Sequence, residues 1–293
     1  MKRLAALLLL AASVTAACGS ADHKSATPTT LNPGAKVPLV IDTLNVPDLP
    51  RNFRMDPDRR QSGSSVFSEA ALQTIKAKLA TSPITDVDLR QESHLYVNGI
   101  PVTWFQWSDD DANLGKTHEQ VLADEAQKKA ELSKAPSIAF DTNKKAVQPT
   151  GPVPVQRVQT EEELVTSAGL GYFRLTIPDH HSPQKEEVDR FVALVRDLPP
   201  GTWLHFHCRA GIGRTTTFMA LYAMMRDAKS TSLDDVLQRQ VDLGGKDLTA
   251  SDADADQNKA ERAQFLQQFY DYVKTNQDGY KTSFSAWLAQ GGK

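Results

Sequence analysis

Residues 205–216 read His-Phe-His-Cys-Arg-Ala-Gly-Ile-Gly-Arg-Thr-Thr, and the elements around this stretch indicate the fold class. The mostly apolar residues before it predict a strand over 202–207, and the apolar residues after it predict a helix over 213–226. Cys208 therefore begins a short loop between a strand and a helix, and Arg214 ends it. This order of elements is typical of α/β proteins, in which helices cover a central sheet.

Two glycines determine what the loop can bind. Gly211 and Gly213 allow the backbone to curl so that successive N–H groups point inward. Together with the N-terminus of the following helix, these amides form a cradle for an anion. We therefore expect substrate to contact the loop residues Arg209, Ala210, Gly211, Ile212 and Gly213.

The residue types at the two ends of the loop predict chemistry on a phosphoryl group. The positive field of the cradle stabilises a thiolate, and a thiolate at Cys208 can attack phosphorus to give a phosphocysteine. The planar guanidinium of Arg214 can bind two phosphoryl oxygens at once, which a lysine cannot do. The hydroxyl of Thr215 can hydrogen-bond the sulfur and help it leave. The alternative is a buried structural cysteine beside a glycine turn.

Such a reaction also needs an acid that protonates the leaving oxygen. Asp179 is the candidate, because it follows a predicted strand over 172–177 within Ile177-Pro178-Asp179. The neighbouring His180 is expected to orient this carboxyl or to bind substrate. The alternative is an Asp-His turn that caps the next helix.

The rest of the chain alternates between predicted strands and helices. Residues 84–89 and 102–107 have strand-like patterns, whereas 185–198 carries one apolar face and stops at two prolines and a glycine. Helix starts are indicated by polar caps at Ser68, at Thr117 with Gln120, at Thr160 with Glu163, and at Ser232. Residues 95–155 break the alternation, which predicts a small inserted domain.

The N-terminus has the layout of a bacterial export signal. Lys2 and Arg3 precede an uncharged, mostly apolar run over 4–17 that is too short to span a bilayer well. Cys18 follows, so the signal ends either in a lipid-modified cysteine or in an ordinary cleavage site. Thr15 stands where lipoprotein signals usually have an aliphatic residue. Both alternatives predict an exported protein, periplasmic or extracellular, and the first adds a membrane anchor through Cys18.

Composition excludes several classes of protein. The 293 residues are 40% hydrophobic and 24% charged, which is ordinary for a globular protein. The net charge of −3 becomes −5 without residues 1–17, so binding of nucleic acid by bulk charge is not expected. The two cysteines cannot form a multi-disulfide framework or a structural zinc site. Only Cys208 is then left as a free thiol in the mature domain, if Cys18 is lipidated or removed.

The Cys-x5-Arg pattern is the signature of the protein tyrosine phosphatase superfamily, and further motifs narrow the resemblance. The chain resembles the bacterial protein-tyrosine-phosphatase-like phytases, also called cysteine phytases or PTP-like myo-inositol phosphatases. The similar stretches are Pro50 to Arg54, Asp88 to His94, Asn98 to Val102, Asn113 to Lys116, Thr160-Glu161, Arg174 to His180, Phe206 to Thr216 and the C-terminal helix.

This resemblance implies stepwise, metal-free removal of phosphates from myo-inositol hexakisphosphate, with no cofactor. It places further substrate-binding cations around the site: Arg54, Lys144, Lys145, Lys259 and Arg262. For each lysine the alternative is a solvated surface charge. Arg209 departs from one relative of this family, which carries an acidic residue there. An additional cation at this position favours a highly phosphorylated substrate.

The implied fold is α/β, with a tyrosine-phosphatase-like core of a sheet flanked by helices and a small inserted β-rich domain, a partial β-barrel. The predicted segments are a signal peptide (1–17), a flexible tether (18–36), the first part of the core (37–94), the inserted domain (95–155), the core with the Cys-x5-Arg loop (156–280) and a tail (281–293). The sequence indicates no protein partner.

Two other functions remain open from the sequence. The first is a cysteine phosphatase of the same superfamily that acts on phosphotyrosine or phosphoinositides. The second is an inactive lipoprotein that binds inositol phosphates. Histidines at 180, 181, 205 and 207 near Cys208 could suggest zinc, but side chains 205 and 207 point to one face of a strand while Cys208 points to the other. We therefore expect no metal.

Overall fold

The structure of the chain is a computed structural model that describes residues 37–81, 83–105, 112–141, 151–249 and 256–292, with only the backbone of 256–259. The predicted signal peptide, the tether with Cys18, and Lys144 and Lys145 lie outside the described residues. The side chain of Lys259 also lies outside them. Among the described residues, no helix is both long and apolar enough to cross a lipid bilayer.

Short strands make up three sheets. The strands are β1 (Leu39–Ile41), β2 (Arg54–Asp56), β3 (Gln61–Ser65), β4 (Ile84–Asp88), β5 (His94–Val97), β6 (Ile100–Trp104), β7 (Ser137–Ile138), β8 (Val153–Pro154), β9 (Val158–Gln159), β10 (Gly171–Arg174) and β11 (Trp203–Cys208). The helices are α1 (Glu69–Leu79), α2 (His118–Leu132), α3 (Glu161–Ser167), α4 (Lys185–Asp197), α5 (Gly213–Asp227), α6 (Leu233–Asp242), α7 (Asp256–Thr275) and α8 (Phe284–Ala289).

The central sheet has the order β10-β4-β11-β3-β2. Its first four strands are parallel, and β2 pairs antiparallel with β3 at the edge. Because parallel strands end at the same edge of a sheet, Asp88, Arg174 and Cys208 come together there. Functional groups of open α/β sheets collect at the carboxyl edge of the strands. The topology therefore predicts a functional site at this edge.

Helices cover both faces of the central sheet, which confirms the predicted α/β class. On one face, Leu204 and Phe206 of β11 pack into a large apolar core with α4, α5, α7 and α8. On the other face, Trp203 packs with α1 and α3. The alternation along β11 follows from the two-residue period of a strand, which sends successive side chains to opposite faces.

A second, antiparallel sheet has the order β1-β6-β5-β9. It buries Leu95, Val97 and Val102 together with Leu39 and Ile41. Its outer strands, β1 and β9, lie outside residues 95–155, so the second sheet also uses chain on either side of that segment. The boundaries of the predicted domains remain predictions.

Local signals in the sequence agree with the observed helix starts. Thr117 with Gln120 and Thr160 with Glu163 both form complete capping boxes, and Ser68 accepts a hydrogen bond from Ala71 N. The strand predicted over 172–177 ends earlier, at Arg174. The reason is that Ile177 leaves the ladder and its carbonyl accepts a hydrogen bond from Arg214 Nη1 at 3.0 Å.

Candidate active site

The loop of residues 208–214, called here the nucleophile loop, surrounds the sulfur of Cys208. This side chain is 3% exposed at the end of β11. The amide of Gly211 donates to Sγ at 3.2 Å, and the hydroxyl of Thr215 donates to Sγ at 3.2 Å. Gly211 has φ +73°, a left-handed conformation that favours glycine. Both donors point at the sulfur, where they can stabilise a negative charge.

The carboxylate of Glu92, which the sequence analysis did not single out, binds the guanidinium of Arg214. Glu92 Oε2 accepts from Nη1 of Arg214 at 2.7 Å, and Oε1 accepts from Nη2 at 3.1 Å. Burial disfavours the charge of Arg214, but Glu92 outweighs it, with Asp179 and Cys208 contributing, and raises the pKa of Arg214 well above its ordinary value. The guanidinium of Arg214, a planar fork of N–H donors, is therefore charged and fixed in orientation.

Asp179 lies directly beside Arg214. Its Oδ1 is 3.3 Å from Nε of Arg214, and its side chain is 25% exposed. The next residue, His180, has φ +59° and an imidazole Nε2 3.5 Å from Asp179 Oδ2. A positive φ is uncommon for a residue with a side chain, and here it turns the chain directly after Asp179. The carboxyl can thus reach a group bound by the fork of Arg214.

These groups line a cavity of about 280 Å³. The predicted site residues in its wall are Asp179, His180, Cys208, Ala210, Ile212, Gly213, Arg214 and Arg262. Two further basic side chains line it, those of His181 and Lys246. Lys246 was missed because it follows the loop glycines Gly244 and Gly245, with no local signal linking it to the nucleophile loop. Its amide donates to Thr216 Oγ1 at 3.1 Å, which joins the two segments.

Arg54 contacts the nucleophile loop from behind rather than lining the cavity. It is 5% exposed and donates to Gly211 O at 2.8 Å and to Thr216 Oγ1 at 3.0 Å. Burial lowers the pKa of Arg54 to about 10, a value that leaves it charged at neutral pH. The structure therefore places Arg54 as a support for the loop backbone, where the resemblance implied a substrate contact.

Arg209 is not among the residues that line this cavity. Its Nε donates to Asp42 Oδ1 at 2.8 Å, and its guanidinium lies 4.0 Å from the ring centre of Phe105. Asp42 also accepts from Thr103 and Arg90. Asp42 directly follows β1, so this contact joins the nucleophile loop to the second sheet. The role of Arg209 as an additional substrate cation stays a prediction.

A buried polar network lies beside β11, the strand that ends at Cys208. His207 Nε2 is 2.5 Å from Glu161 Oε1 and 3.4 Å from Asp86 Oδ2. Burial disfavours its charge, but Glu161 and Asp86 outweigh it and raise the pKa of His207 well above its ordinary value. His207 is therefore an imidazolium beside Glu161, on the face of β11 opposite Cys208, whereas burial raises the pKa of Asp86 to about 7.

Two groups in this network have donor atoms close enough together to share a metal ion: Asp86, Glu161 and His207, and Asp88, His94 and Glu161. Glu161 and His207 form a close ion pair, with 2.5 Å between their oxygen and nitrogen atoms. His94 is likewise ion-paired, 3.2 Å from Asp88 and 3.0 Å from Glu161. Pairing of opposite charges accounts for these contacts, and we assign no metal ligand among them.

The chain is similar to a solved structure and matches a family model. A solved PTP-like phytase from Bdellovibrio bacteriovorus is 36% identical, with a TM-score of 0.76, over 87% of this chain and 95% of that one. The family model for PTP-like phytases, described as "Inositol hexakisphosphate", matches residues 87–226, which include Asp179 and the nucleophile loop. The chain belongs to the PTP-like phytase family.

Two further similar proteins are longer than this chain. A PTP-like myo-inositol phosphatase from Mitsuokella multacida, solved with myo-inositol-(1,3,4,5)-tetrakisphosphate, is 37% identical with a TM-score of 0.82, over 90% of this chain and 49% of that one. The effector protein hopD2 of Pseudomonas syringae pv. tomato is 32% identical over 271 residues, 89% of this chain and 56% of that protein. The chain thus spans about half the length of these two.

Proposed function

We propose that the chain is a metal-independent cysteine phosphatase that removes phosphates stepwise from myo-inositol hexakisphosphate. One observation carries the proposal. The sulfur of Cys208 lies at the cavity wall between the amide of Gly211 and the hydroxyl of Thr215, each 3.2 Å away, with the charged fork of Arg214 in the same wall. A nucleophile, a phosphoryl-binding fork and an acid are thereby within reach of one bound phosphate.

In the first step, the thiolate of Cys208 forms a bond to phosphorus while the bond from phosphorus to the inositol oxygen breaks. Asp179 gives its proton to the leaving oxygen, which departs as an alcohol. Arg214 and the loop amides bind the equatorial oxygens, on which negative charge is spread in the transition state. The product is a phosphocysteine and an inositol with one phosphate fewer.

In the second step, water attacks the phosphocysteine. The carboxylate of Asp179 accepts a proton from this water, and the bond between sulfur and phosphorus breaks. The hydroxyl of Thr215, which donates to Sγ at 3.2 Å, stabilises the sulfur as it leaves as a thiolate. Inorganic phosphate is released, and Asp179 is again protonated for the next cycle.

A substrate with several phosphates is supported by the basic groups around the cavity. The cations Lys246 and Arg262 line it together with Arg214, in a chain whose net charge is −3. Cations concentrated at one cavity of an acidic protein attract polyanions there. The Mitsuokella relative was solved with an inositol tetrakisphosphate, which supports the same substrate class for this chain.

The test is phosphate release from inositol hexakisphosphate, p-nitrophenyl phosphate and a phosphotyrosine peptide. Each is measured with EDTA, for the wild type and for Cys208→Ser. We expect EDTA-resistant release from inositol hexakisphosphate that the variant loses. Release from the peptide alone would indicate a tyrosine phosphatase instead. Release from none, with tight binding retained by Cys208→Ser, would indicate an inositol phosphate-binding protein.

We also propose that the protein acts outside the cytoplasm. The basis is the sequence pattern of residues 1–17, with Cys18 as a candidate lipid anchor. Cell fractionation of a strain that expresses the full chain tests this: the enzyme should be found in the periplasm, the medium or the membrane fraction. A Cys18→Ala variant that leaves the membrane fraction for the soluble one would identify the anchor.

A further inference from the structure

The segment that carries Asp179 is closed into a loop at its base. It comprises residues 175–184, between β10 and α4, and is called here the acid loop. Glu187, in the first turn of α4, accepts from the backbone amide of Thr176 at 3.1 Å and from its hydroxyl at 3.0 Å. These contacts join the two ends of the acid loop, so that Thr176 and Glu187 form a neck of the kind that defines an Ω-loop.

The neck is buried and has a second layer of support. Glu187 is 4% exposed and Thr176 is 2% exposed. His118, the first residue of α2, lies with Nδ1 3.1 Å from Glu187 Oε1 and Nε2 3.2 Å from Arg190. A neutral imidazole with its proton on Nδ1 satisfies both contacts, because it donates to Glu187 and accepts from Arg190. Arg190 itself lies 3.6 Å from Glu187.

Apolar packing holds Leu175 and Ile177, the neighbours of Thr176, which are 0% and 1% exposed in the large core. Thr176, Glu187 and Gln184 line a cavity of about 420 Å³, separate from the one that holds Cys208. Thr176 lines this cavity, and its hydrogen bonds to Glu187 tie the neck of the acid loop to α4. Asp179 lies only three residues beyond Thr176, and a shift of the neck therefore displaces its carboxyl.

We propose that Glu187 is a positioning residue for the general acid: it clamps the neck of the acid loop and so fixes Asp179 over the leaving oxygen. This proposal rests on the proposed function, in which Asp179 protonates that oxygen. A misplacement of about 1 Å can lower a rate by about 10²-fold. The effect should depend on the leaving group, because a nitrophenolate departs with little protonation whereas an inositol alkoxide needs a proton.

The experiment compares kcat/KM for the first phosphate of inositol hexakisphosphate with kcat/KM for p-nitrophenyl phosphate. We expect Glu187→Ala to lower the first by roughly 10- to 100-fold and the second far less. Glu186→Ala is the matched control, because Glu186 is exposed, lies one residue away and lines the same cavity. It should resemble the wild type on both substrates.

A double variant tests whether Glu187 acts through Asp179. Asp179→Asn alone should lower kcat/KM for inositol hexakisphosphate by about 10²- to 10⁴-fold. The combination of Asp179→Asn with Glu187→Ala should be no slower than Asp179→Asn. Equal losses on both substrates for Glu187→Ala, or losses that multiply in the double variant, would overturn the clamp. If Asp179→Asn itself slowed both substrates equally, the acid assignment in the proposed function would fail instead.

A milder variant keeps the test valid if Glu187→Ala does not fold. Thr176→Val removes one hydroxyl and retains the amide contact with Glu187. It should give a smaller loss with the same dependence on the leaving group. The fall of kcat/KM at high pH should also become smaller in this variant, since that fall reports loss of the proton from the acid. A Thr176→Val variant indistinguishable from the wild type in both respects would contradict the proposal.

Discussion

Glu92 and Arg214 lie 122 positions apart in the chain and form a two-pronged ion pair, with oxygen–nitrogen distances of 2.7 and 3.1 Å. Arg90 donates to the same carboxylate at 2.8 Å. All three side chains are buried, and the two arginines hold the pKa of Glu92 well below its ordinary value although burial opposes this. The phosphoryl-binding fork is thus oriented before any substrate arrives, which removes a cost of ordering it during the reaction.

Glu92→Gln should therefore impair both catalysis and folding. The amide cannot accept from both arms of Arg214, and a buried guanidinium is left partly unpaired. We expect kcat/KM to fall by about 10²-fold. The free energy of unfolding should fall by about 3 kcal/mol, the cost of breaking a buried pair. Steady-state kinetics and urea unfolding measure the two effects, with exposed Glu162→Gln as the control. A fully active Glu92→Gln enzyme would contradict the orienting role.

The two loop glycines should differ sharply when each is replaced by alanine. A Cβ at Gly211 would lie 2.3 Å from Ser65 N and 2.4 Å from Ser64 C, and φ is +73°, whereas a Cβ at Gly213 meets nothing within 4 Å. Gly211→Ala should lower the melting temperature and slow alkylation of Cys208 by iodoacetate, because the amide that contacts Sγ must move. Gly213→Ala should leave both values unchanged, since alanine is a good helix former. Equal behaviour of the two variants would refute this account.

The sequence predicted the nucleophile loop and the acid because the evidence for them is local. Cys208 to Arg214 is one continuous motif, and Asp179 follows a strand. It did not predict Glu92 or Glu187, because their roles depend on which strand ends and helix starts meet in space. Glu92 follows β4, a neighbour of β11, so knowing the strand order would have placed its carboxylate near Arg214. The family-like stretch from Asp88 to His94 contained Glu92 without revealing its partner.

Basic residues are the part of the site that sequence alone predicts least well. A cation near a phosphate site can bind the ligand or support the backbone, and only its burial and partners distinguish these roles. Arg54 and Arg262 were both interpreted as substrate contacts. Arg54 is buried against Gly211 and Thr216, whereas Arg262 lines the cavity.

This difference predicts opposite effects for two substitutions. Arg54→Met should lower the melting temperature and kcat together, because Gly211 O and Thr216 Oγ1 lose a buried donor. Arg262→Gln should raise KM for inositol hexakisphosphate and leave the melting temperature unchanged. Thermal unfolding and steady-state kinetics on both variants check this. An Arg54→Met enzyme with normal stability and only a raised KM would restore Arg54 to the substrate contacts.

Arg209 and Asp42 should be coupled in stability rather than in substrate choice. Their side chains are 17% and 0% exposed, and the pair joins the nucleophile loop to the second sheet. A double-mutant cycle with Arg209→Gln and Asp42→Asn should give a coupling energy of about 1–2 kcal/mol in urea unfolding. The ratio of kcat/KM for hexakis- over trisphosphate should change little in Arg209→Gln. A large fall in that ratio would show that Arg209 contacts substrate.

The buried His94 should make stability depend on pH. Burial and Arg90 oppose its charge, but Asp88 and Glu125 outweigh them and raise the pKa to about 9. In the unfolded chain the pKa is about 6.5, so the folded state binds the extra proton between these values. This stabilisation is complete below pH 6.5, is lost as pH rises through 9, and amounts to about 3 kcal/mol. The difference in unfolding free energy between wild type and His94→Gln should therefore shrink from pH 6 to pH 10 in urea titrations, and an unchanged difference would contradict a charged His94.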